Sequence, residues 1–182
     1  SGASGDNTFQ IIGTLLKAGS GTCTFSIAGS GIEFTNAGTL VVLAGTLSAG
    51  IVTNLGAGIL AGGTWIVDNN AFLVFPAGTV IYTNNATIRL NGVNSFFVAL
   101  NSLGTNVGSL TLENGRLWTF APLGNLFTNA GFFTKGGSGT TTVPAGITFN
   151  NPGNITVSGG SLLLSGPVGQ VCPASSGLLV IS

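Results

Sequence analysis

The chain has 182 residues, enough for one domain with a buried core. Only 4% of the residues are charged, 44% are hydrophobic, the four basic and four acidic side chains cancel, and histidine is absent. This composition argues against an intrinsically disordered chain and gives no basic surface for nucleic acid. It also removes the most common general base and metal ligand, so the composition disfavours an enzyme.

Short apolar or alternating runs, each closed by glycine, asparagine or proline, predict strands along most of the chain. In chain order these predicted strands cover residues 39–43, 64–67, 71–75, 79–82, 86–90, 109–112, 154–157 and 161–164. Helical periodicity is almost absent. Glycines interrupt the long uncharged stretch 34–67, so we expect no membrane span. The sequence therefore predicts an all-β protein built from many short strands.

Asparagine recurs between the predicted strands. The string Phe34-Thr35-Asn36-Ala37-Gly38 returns at residues 127–131 and, in a degenerate form, at 149–153. Asparagine tolerates the left-handed backbone of a tight corner, and stacked amides can bond to one another. We therefore predict a structural asparagine ladder with one rung per repeat: Asn36, Asn54, Asn69, Asn84, Asn106, Asn129 and Asn151.

Each repeat continues through a strand, a glycine-containing corner and a second strand, as in residues 38–47 and 153–164. A period near twenty residues is typical of solenoids, and strand, corner, strand fits one coil of a parallel β-helix. At about 20 residues per coil the sequence predicts about nine coils and a rod on the order of 40 Å long. A β-sandwich is the alternative, but it does not explain the repeated motif.

The repeats divide the chain into three predicted parts. Residues 1–31 form an N-terminal segment that acts as a cap or assembly strand, residues 32–166 form the β-helix repeats, and residues 167–182 form a C-terminal segment with a pairing strand.

The Phe-Thr-Asn-Ala-Gly motif, followed by an apolar strand, Gly-Thr-Leu or Gly-Gly-Ser-Leu, and a further strand, resembles a family of secreted bacterial β-helix proteins. These are the filamentous-haemagglutinin-like adhesins and the autotransporter-associated β-strand repeat proteins. The resemblance covers roughly residues 32–166. It implies a right-handed parallel β-helix, a bacterial source, an extracellular or cell-surface location and a noncatalytic role. The first residues lack the basic and apolar regions of a signal peptide, so we expect a secretion signal to have been removed or to lie outside this chain.

The acidic residues do not predict a catalytic centre. The candidates Asp6, Glu33, Asp68 and Glu113 lie in different predicted coils, whereas glycoside hydrolysis needs a close carboxylate pair. We expect no catalytic residues, no metal site and no cofactor. Arg89 and Arg116 lie near Glu113 in the predicted repeats, which favours a structural ion pair between adjacent coils.

Two kinds of site could involve carbohydrate. Trp65, Trp118 and Tyr82 could form sugar-binding platforms, although buried stacking is the more common use of such rings. Asn85 and Asn154 match the N-glycosylation sequon and are candidate glycosylation sites.

The two cysteines lie near opposite ends of the predicted rod. Cys23 precedes the first clear repeat and Cys172 follows the last, whereas a disulfide needs Cα atoms within about 7 Å. A bridge between neighbouring subunits is one interpretation. Free thiols, or a bridge made by a segment that folds back, are the others.

The uncharged C-terminal run Leu178, Leu179, Val180 and Ile181 has no protecting charges and suits pairing with a neighbouring subunit. Completion of its own last coil is the alternative interpretation. We therefore predict a structural protein that assembles head to tail with copies of itself into an extracellular fibre or surface layer. The second hypothesis is an adhesin fragment that binds a receptor, a glycan or another surface component on its lateral face. A polysaccharide-degrading enzyme is a third and weaker hypothesis.

Overall fold

A computed structural model describes residues 7–25, 32–169, 173–175 and 178–181. The described residues contain no α-helix, only two short 3₁₀ segments, Val98–Ser102 and Leu123–Asn125. The strands are β1 (Thr8–Ile11), β2 (Thr14–Lys17), β3 (Thr22–Thr24), β4 (Glu33–Asn36), β5 (Thr39–Val42), β6 (Gly45–Ser48), β7 (Ile51–Val52), β8 (Leu55–Gly56), β9 (Ile59–Leu60), β10 (Thr64–Val67), β11 (Ala71–Val74), β12 (Thr83–Asn84), β13 (Thr87–Asn91), β14 (Phe96–Phe97), β15 (Thr105–Asn106), β16 (Ser109–Glu113), β17 (Leu126–Asn129), β18 (Phe132–Gly136), β19 (Thr140–Val143), β20 (Thr148–Asn150), β21 (Asn154–Val157), β22 (Ser161–Leu164), β23 (Pro173–Ser175) and β24 (Leu178–Ile181).

The strands stack into a parallel β-solenoid, which confirms the predicted architecture. Eight of them form one sheet, here called the main sheet, in the order β2-β5-β10-β13-β16-β18-β21-β23. Every neighbouring pair in this sheet is parallel and in register, so that Thr64, Thr87 and Ser109 lie side by side on successive coils. Parallel pairing of strands 18 to 25 residues apart requires the chain to complete one full turn between them.

Two further faces complete each coil. The entry face precedes the main sheet and contains β1-β4-β7 and β20-β17-β15-β12-β9-β8. The exit face follows the main sheet and contains β14-β11-β6-β3 and, towards the C-terminus, β19-β22-β24. The antiparallel pair β8–β9 is the exception to parallel pairing, because it is a hairpin inserted into one coil of the entry face.

The number of coils is lower than predicted. Eight main-sheet strands define about seven turns, which corresponds to a rod roughly 35 Å long rather than nine coils and 40 Å. The asparagine spacing underestimated the coil length, since some of its steps were only parts of a coil. Right-handedness stays a prediction from the resemblance.

The core fills the space between the three faces. Along each main-sheet strand alternate residues point inward, as Leu40 and Val42 do on β5 and Ile88 and Leu90 do on β13. Aromatic rings fill the wider parts of the interior. Trp118, for example, lies 4.8 Å from both Phe120 and Phe127, measured between ring centroids.

Seven of the eight predicted strands overlap observed strands. The segment 79–82 does not, and its prediction was wrong, since its residues form an irregular connection between β11 and β12. The predicted terminal parts contribute to the same stack, because β1, β2 and β3 form the first coil and β23 and β24 pair with the last repeats.

Candidate functional site

A buried asparagine ladder runs along the corner between the entry face and the main sheet. Asn84 Nδ2 donates to Asn106 Oδ1 at 2.8 Å, Asn106 Nδ2 to Asn129 Oδ1 at 2.7 Å, and Asn129 Nδ2 to Asn151 Oδ1 at 2.6 Å. The same amides also donate to main-chain carbonyls of the next coil, such as that of Phe132. The ladder thus links the corners of four successive coils through buried hydrogen bonds, which is a structural role.

Of the other predicted rungs, Asn36 and Asn54 lie at the same corner, where Asn36 Nδ2 donates to the Thr64 carbonyl of the next coil at 2.9 Å. Asn36 and Asn54 bond to each other, because Asn54 Oδ1 accepts from the Asn36 main-chain N–H at 2.6 Å. Leu60 takes the rung position opposite Asn84, since the inserted hairpin displaces the repeat. Asn69 lies at the opposite corner, after the main sheet, where its Oδ1 accepts from the Asn94 main-chain N–H at 3.0 Å. Asn69 is therefore not a rung of this ladder.

Charged side chains cluster at and near the C-terminal ends of the main-sheet strands of three successive coils. Arg89 Nε donates to Glu113 Oε2 at 2.7 Å, and its Nη1 lies 4.0 Å from Asp68 Oδ1. Asp68 Oδ1 also accepts from Asn91 Nδ2 at 2.9 Å. The predicted ion pair between coils therefore forms with Arg89, and the two carboxylates flank this arginine.

Two cations lie inside the solenoid. Lys135 occupies an inward position between Leu112 and Val157, is 0% exposed, and its Nζ donates to three corner carbonyls, the closest being that of Gly136 at 2.6 Å. Burial lowers the pKa of Lys135, and nearby Glu113 partly offsets that effect.

Arg116 is only 4% exposed and does not pair with Glu113 as expected. Its Nη2 donates to Thr119 Oγ1 at 3.0 Å, while its Nε has no partner among the described residues. Burial lowers the pKa of Arg116. The predicted pairing failed because Arg116 points inward at a corner, whereas Glu113 lies on the outer side of the sheet.

The first coil is the candidate assembly face. Each of β1, β2 and β3 has one strand neighbour among the described residues, namely β4, β5 and β6. The inward side chains Phe9, Leu15 and Phe25 are only partly buried, although they pack on the core. The centroids of the Phe9 and Phe25 rings lie 4.6 Å apart, and Phe25 lies 5.2 Å from Phe34 of the second coil.

The lysine of the first coil does not project from the open strand edges, because its amine bonds to nearby carbonyls. Lys17 is the one charged residue in β1, β2 and β3, and its Nζ donates to the carbonyls of Gly19 at 2.7 Å and Ala44 at 3.0 Å. Natural edge strands usually avoid unwanted pairing with projecting lysines, prolines or bulges. Among the described residues, nothing pairs with the outer edge of the first coil, and its inward apolar side chains are only partly buried.

The residues predicted to join neighbouring subunits belong to the first and last parts of the chain. Cys23 is an exposed, free thiol on β3 of the first coil. Cys172 lies outside the described residues, but the next residue, Pro173, begins the last strand of the main sheet. The strand Leu178–Ile181 pairs in parallel with β22 of its own chain, so it completes the last coil. That pairing leaves one edge of the strand without a neighbour among the described residues.

The candidate carbohydrate residues differ in exposure. Trp65 and Trp118 are buried in the core, whereas Tyr82 is 47% exposed on the entry face. Asn85 and Asn154 are both exposed, so their side chains are accessible for glycosylation, which stays a prediction.

Sequence reasoning missed the columns of hydroxyls on the outer faces. Thr14, Thr39, Thr64, Thr87 and Ser109 align on consecutive main-sheet strands, and Thr83, Thr105 and Thr128 align on the entry face. Each threonine of the second column directly precedes a buried asparagine. Because side chains alternate along a strand, an inward asparagine predicts an outward threonine, and the repeated Thr-Asn pair could have revealed this column. The columns do not stand out at a fixed period, since the coil length varies.

Among residues 7–25 and 32–169 and the two C-terminal strands, no group of three or more acidic, histidine or cysteine residues could hold a metal ion. In the part of the chain that the structure describes, no helix is long and apolar enough to cross a membrane. Comparisons with protein-family models, with curated proteins and with solved structures found no match.

Proposed function

We propose that this protein is a noncatalytic structural subunit that assembles head to tail through the open edges of its terminal coils. The observation that carries the proposal is the first coil, where the outer edges of three parallel strands have no neighbour among the described residues. A strand edge with free main-chain groups is a template for another strand.

The geometry of the stack explains why assembly would continue. Every main-sheet strand runs parallel to the next, so adding the first coil of one copy to the last coil of another repeats the same pairing. The two surfaces in this contact differ, and a heterologous contact that does not close on itself produces a filament.

A disulfide fits the same contact. Cys23 is exposed on the first coil, and Pro173, which follows Cys172, lies in the last coil, about seven turns away. Since a disulfide requires Cα atoms within about 7 Å, we propose that the bridge joins two subunits. An extracellular or cell-surface location belongs to this proposal, because disulfides persist in oxidising compartments and the sequence resembles secreted proteins.

Pairing of the first coil can be tested at Leu16 on β2. The N–H groups of Thr39 and Leu43 donate to the carbonyls of Gly13 and Lys17, and main-chain groups alternate between the two sides of a parallel strand. The N–H of Leu16 therefore points to the open edge, and Leu16→Pro removes it without breaking a bond to β5. Leu16→Thr keeps the N–H and is the matched control.

Negative-stain electron microscopy and sedimentation velocity would compare the three proteins. We expect filaments for the wild type and for Leu16→Thr, and single rods for Leu16→Pro. A non-reducing gel should show a ladder of oligomers that disappears in Cys23→Ser. Single rods of the wild type at all concentrations, or filaments of Leu16→Pro as abundant as those of the control, would overturn the proposal.

A further inference from the structure

Tyr82 is a flat aromatic platform on the entry face. A methyl group placed on Gly58 would lie 2.5 Å from Tyr82 Cδ2, 3.2 Å from Cε2 and 3.5 Å from Cγ, so the Cδ2 edge of the ring lies against the glycine. Gly58 has φ +76°, a conformation that glycine adopts without strain. The ring has no aromatic partner among the described residues, and the side chain is 47% exposed. One edge of the ring is thus held by Gly58, while nearly half of the side chain is open to solvent.

The platform adjoins a groove of about 290 Å³ that crosses three successive coils. Its walls carry the aligned hydroxyls of Thr83, Thr105 and Thr128, which repeat at the coil rise of about 4.8 Å. These hydroxyls make no hydrogen bond to any described residue. Leu126 supplies an apolar wall and is 45% exposed. The groove therefore combines an aromatic face, regularly spaced free hydroxyls and an apolar side.

The same geometry restricts the ligand. The strands β12 and β15 already pair on both edges, so a peptide cannot bind here by adding a strand. No charged residue lines the groove, so nothing in it favours an anionic ligand. Sugars offer C–H faces that stack on aromatic rings and hydroxyls that bond to threonine. A linear chain of sugars offers both at each unit, along the direction of the groove.

We propose that this groove binds a linear, neutral polysaccharide that lies along the solenoid axis, with one sugar ring stacked on Tyr82. This proposal is independent of head-to-tail assembly, because the groove lies on a lateral face and the assembly contact lies at the ends.

Gly104 permits a test that leaves the platform intact. This glycine lines the groove, and a methyl group placed on it would meet its nearest neighbours at 3.6 to 3.8 Å, which is ordinary contact. Gly104→Val therefore adds a side chain to the lining of the groove, and its Cβ makes no close contact with the backbone. Tyr82→Ala removes the platform, Tyr82→Phe keeps the ring, and Phe72→Ala removes a different exposed ring on the exit face as the matched control.

Isothermal titration calorimetry with cello-, manno- and xylo-oligosaccharides would measure binding, with alginate oligosaccharide as the anionic comparison. Thermal unfolding of each variant would show that it is folded. We expect one or more of the neutral oligosaccharides to bind the wild type, Tyr82→Phe and Phe72→Ala with similar affinity. Tyr82→Ala and Gly104→Val should bind at least about tenfold more weakly.

Three outcomes would overturn the proposal. They are no binding of any neutral oligosaccharide, binding of alginate alone, and full binding by a folded Gly104→Val protein. If Tyr82→Ala does not fold, the Gly104→Val result decides. Loss of filaments in Leu16→Pro would leave oligosaccharide binding unchanged, so the two proposals fail separately.

Discussion

Exchanging the amide of Asn106 for a carboxylate should destabilise the solenoid strongly. Asn106 is fully buried, and its Nδ2 donates to Asn129 Oδ1 at 2.7 Å and to the Phe132 carbonyl at 3.0 Å. In Asn106→Asp a carboxylate oxygen takes the place of the Nδ2 donor. This oxygen then lies against two oxygen atoms that can only accept hydrogen bonds, Asn129 Oδ1 and the Phe132 carbonyl oxygen. Breaking buried polar pairing in this way costs about 3–5 kcal/mol, because an uncompensated charge is left in the interior.

Asn151→Asp is the matched control at the end of the ladder. Asn151 Oδ1 accepts from Asn129 Nδ2 at 2.6 Å, and among the described residues its own Nδ2 donates only to the Gly153 carbonyl, at 3.0 Å. A carboxylate there keeps its main hydrogen bond and even strengthens it. Each amide in the ladder donates to the oxygen of the next rung, and Asn151 is the last acceptor. We therefore expect the loss of stability in Asn151→Asp to be no more than about half of that in Asn106→Asp.

Urea unfolding followed by circular dichroism measures both variants, at about pH 7 and about pH 4. Burial raises the pKa of the introduced carboxyl above its value in the unfolded chain, so the destabilisation grows as the pH rises above about 4. At low pH the protonated carboxyl donates again, and Asn106→Asp should recover much of its stability. Equal losses in the two variants, or a loss that does not change with pH, would refute the directional ladder.

Two further predictions concern the interior and the corners. Because burial lowers the pKa of Lys135, the unfolded chain holds this proton more tightly, and the wild type should gain stability as the pH rises towards the unperturbed lysine pKa of about 10.4. In Lys135→Met the free energy of unfolding, measured by urea titration, should rise less over the same pH range. An equal rise in the variant and the wild type would contradict a lowered pKa for Lys135. Gly108→Ala should destabilise by about 2 kcal/mol or more, since its methyl group would overlap the Ala86 carbonyl oxygen, whereas Gly104→Ala should stay within about 1 kcal/mol of the wild type. Equal melting temperatures for the two alanine variants would show that the corner relaxes.

Several features of this protein follow from sequence alone. Alternating apolar runs closed by glycine predicted most of the strands, because side chains of a strand alternate between two faces. The returning Thr-Asn motif predicted stacked corners, and Asn84, Asn106, Asn129 and Asn151 do form a ladder. These signals are local, or recur at nearly constant spacing in the second half of the chain, so no knowledge of neighbours in space is needed to find them.

Other features were decided only by the tertiary structure. The hairpin β8–β9 puts Leu60 in place of an asparagine opposite Asn84, and Asn69 lies at the opposite corner, so the asparagine steps were a poor measure of coil number. Lys135 looks like a surface residue in sequence, yet the strand places it inside, where corner carbonyls accept from its amine. Trp65 takes an inward position on β10 and is buried, whereas Tyr82 lies in the irregular connection before β12 and is 47% exposed. Lateral neighbours in a solenoid are set by the length of each individual coil, and a varying coil length hides them from any fixed period.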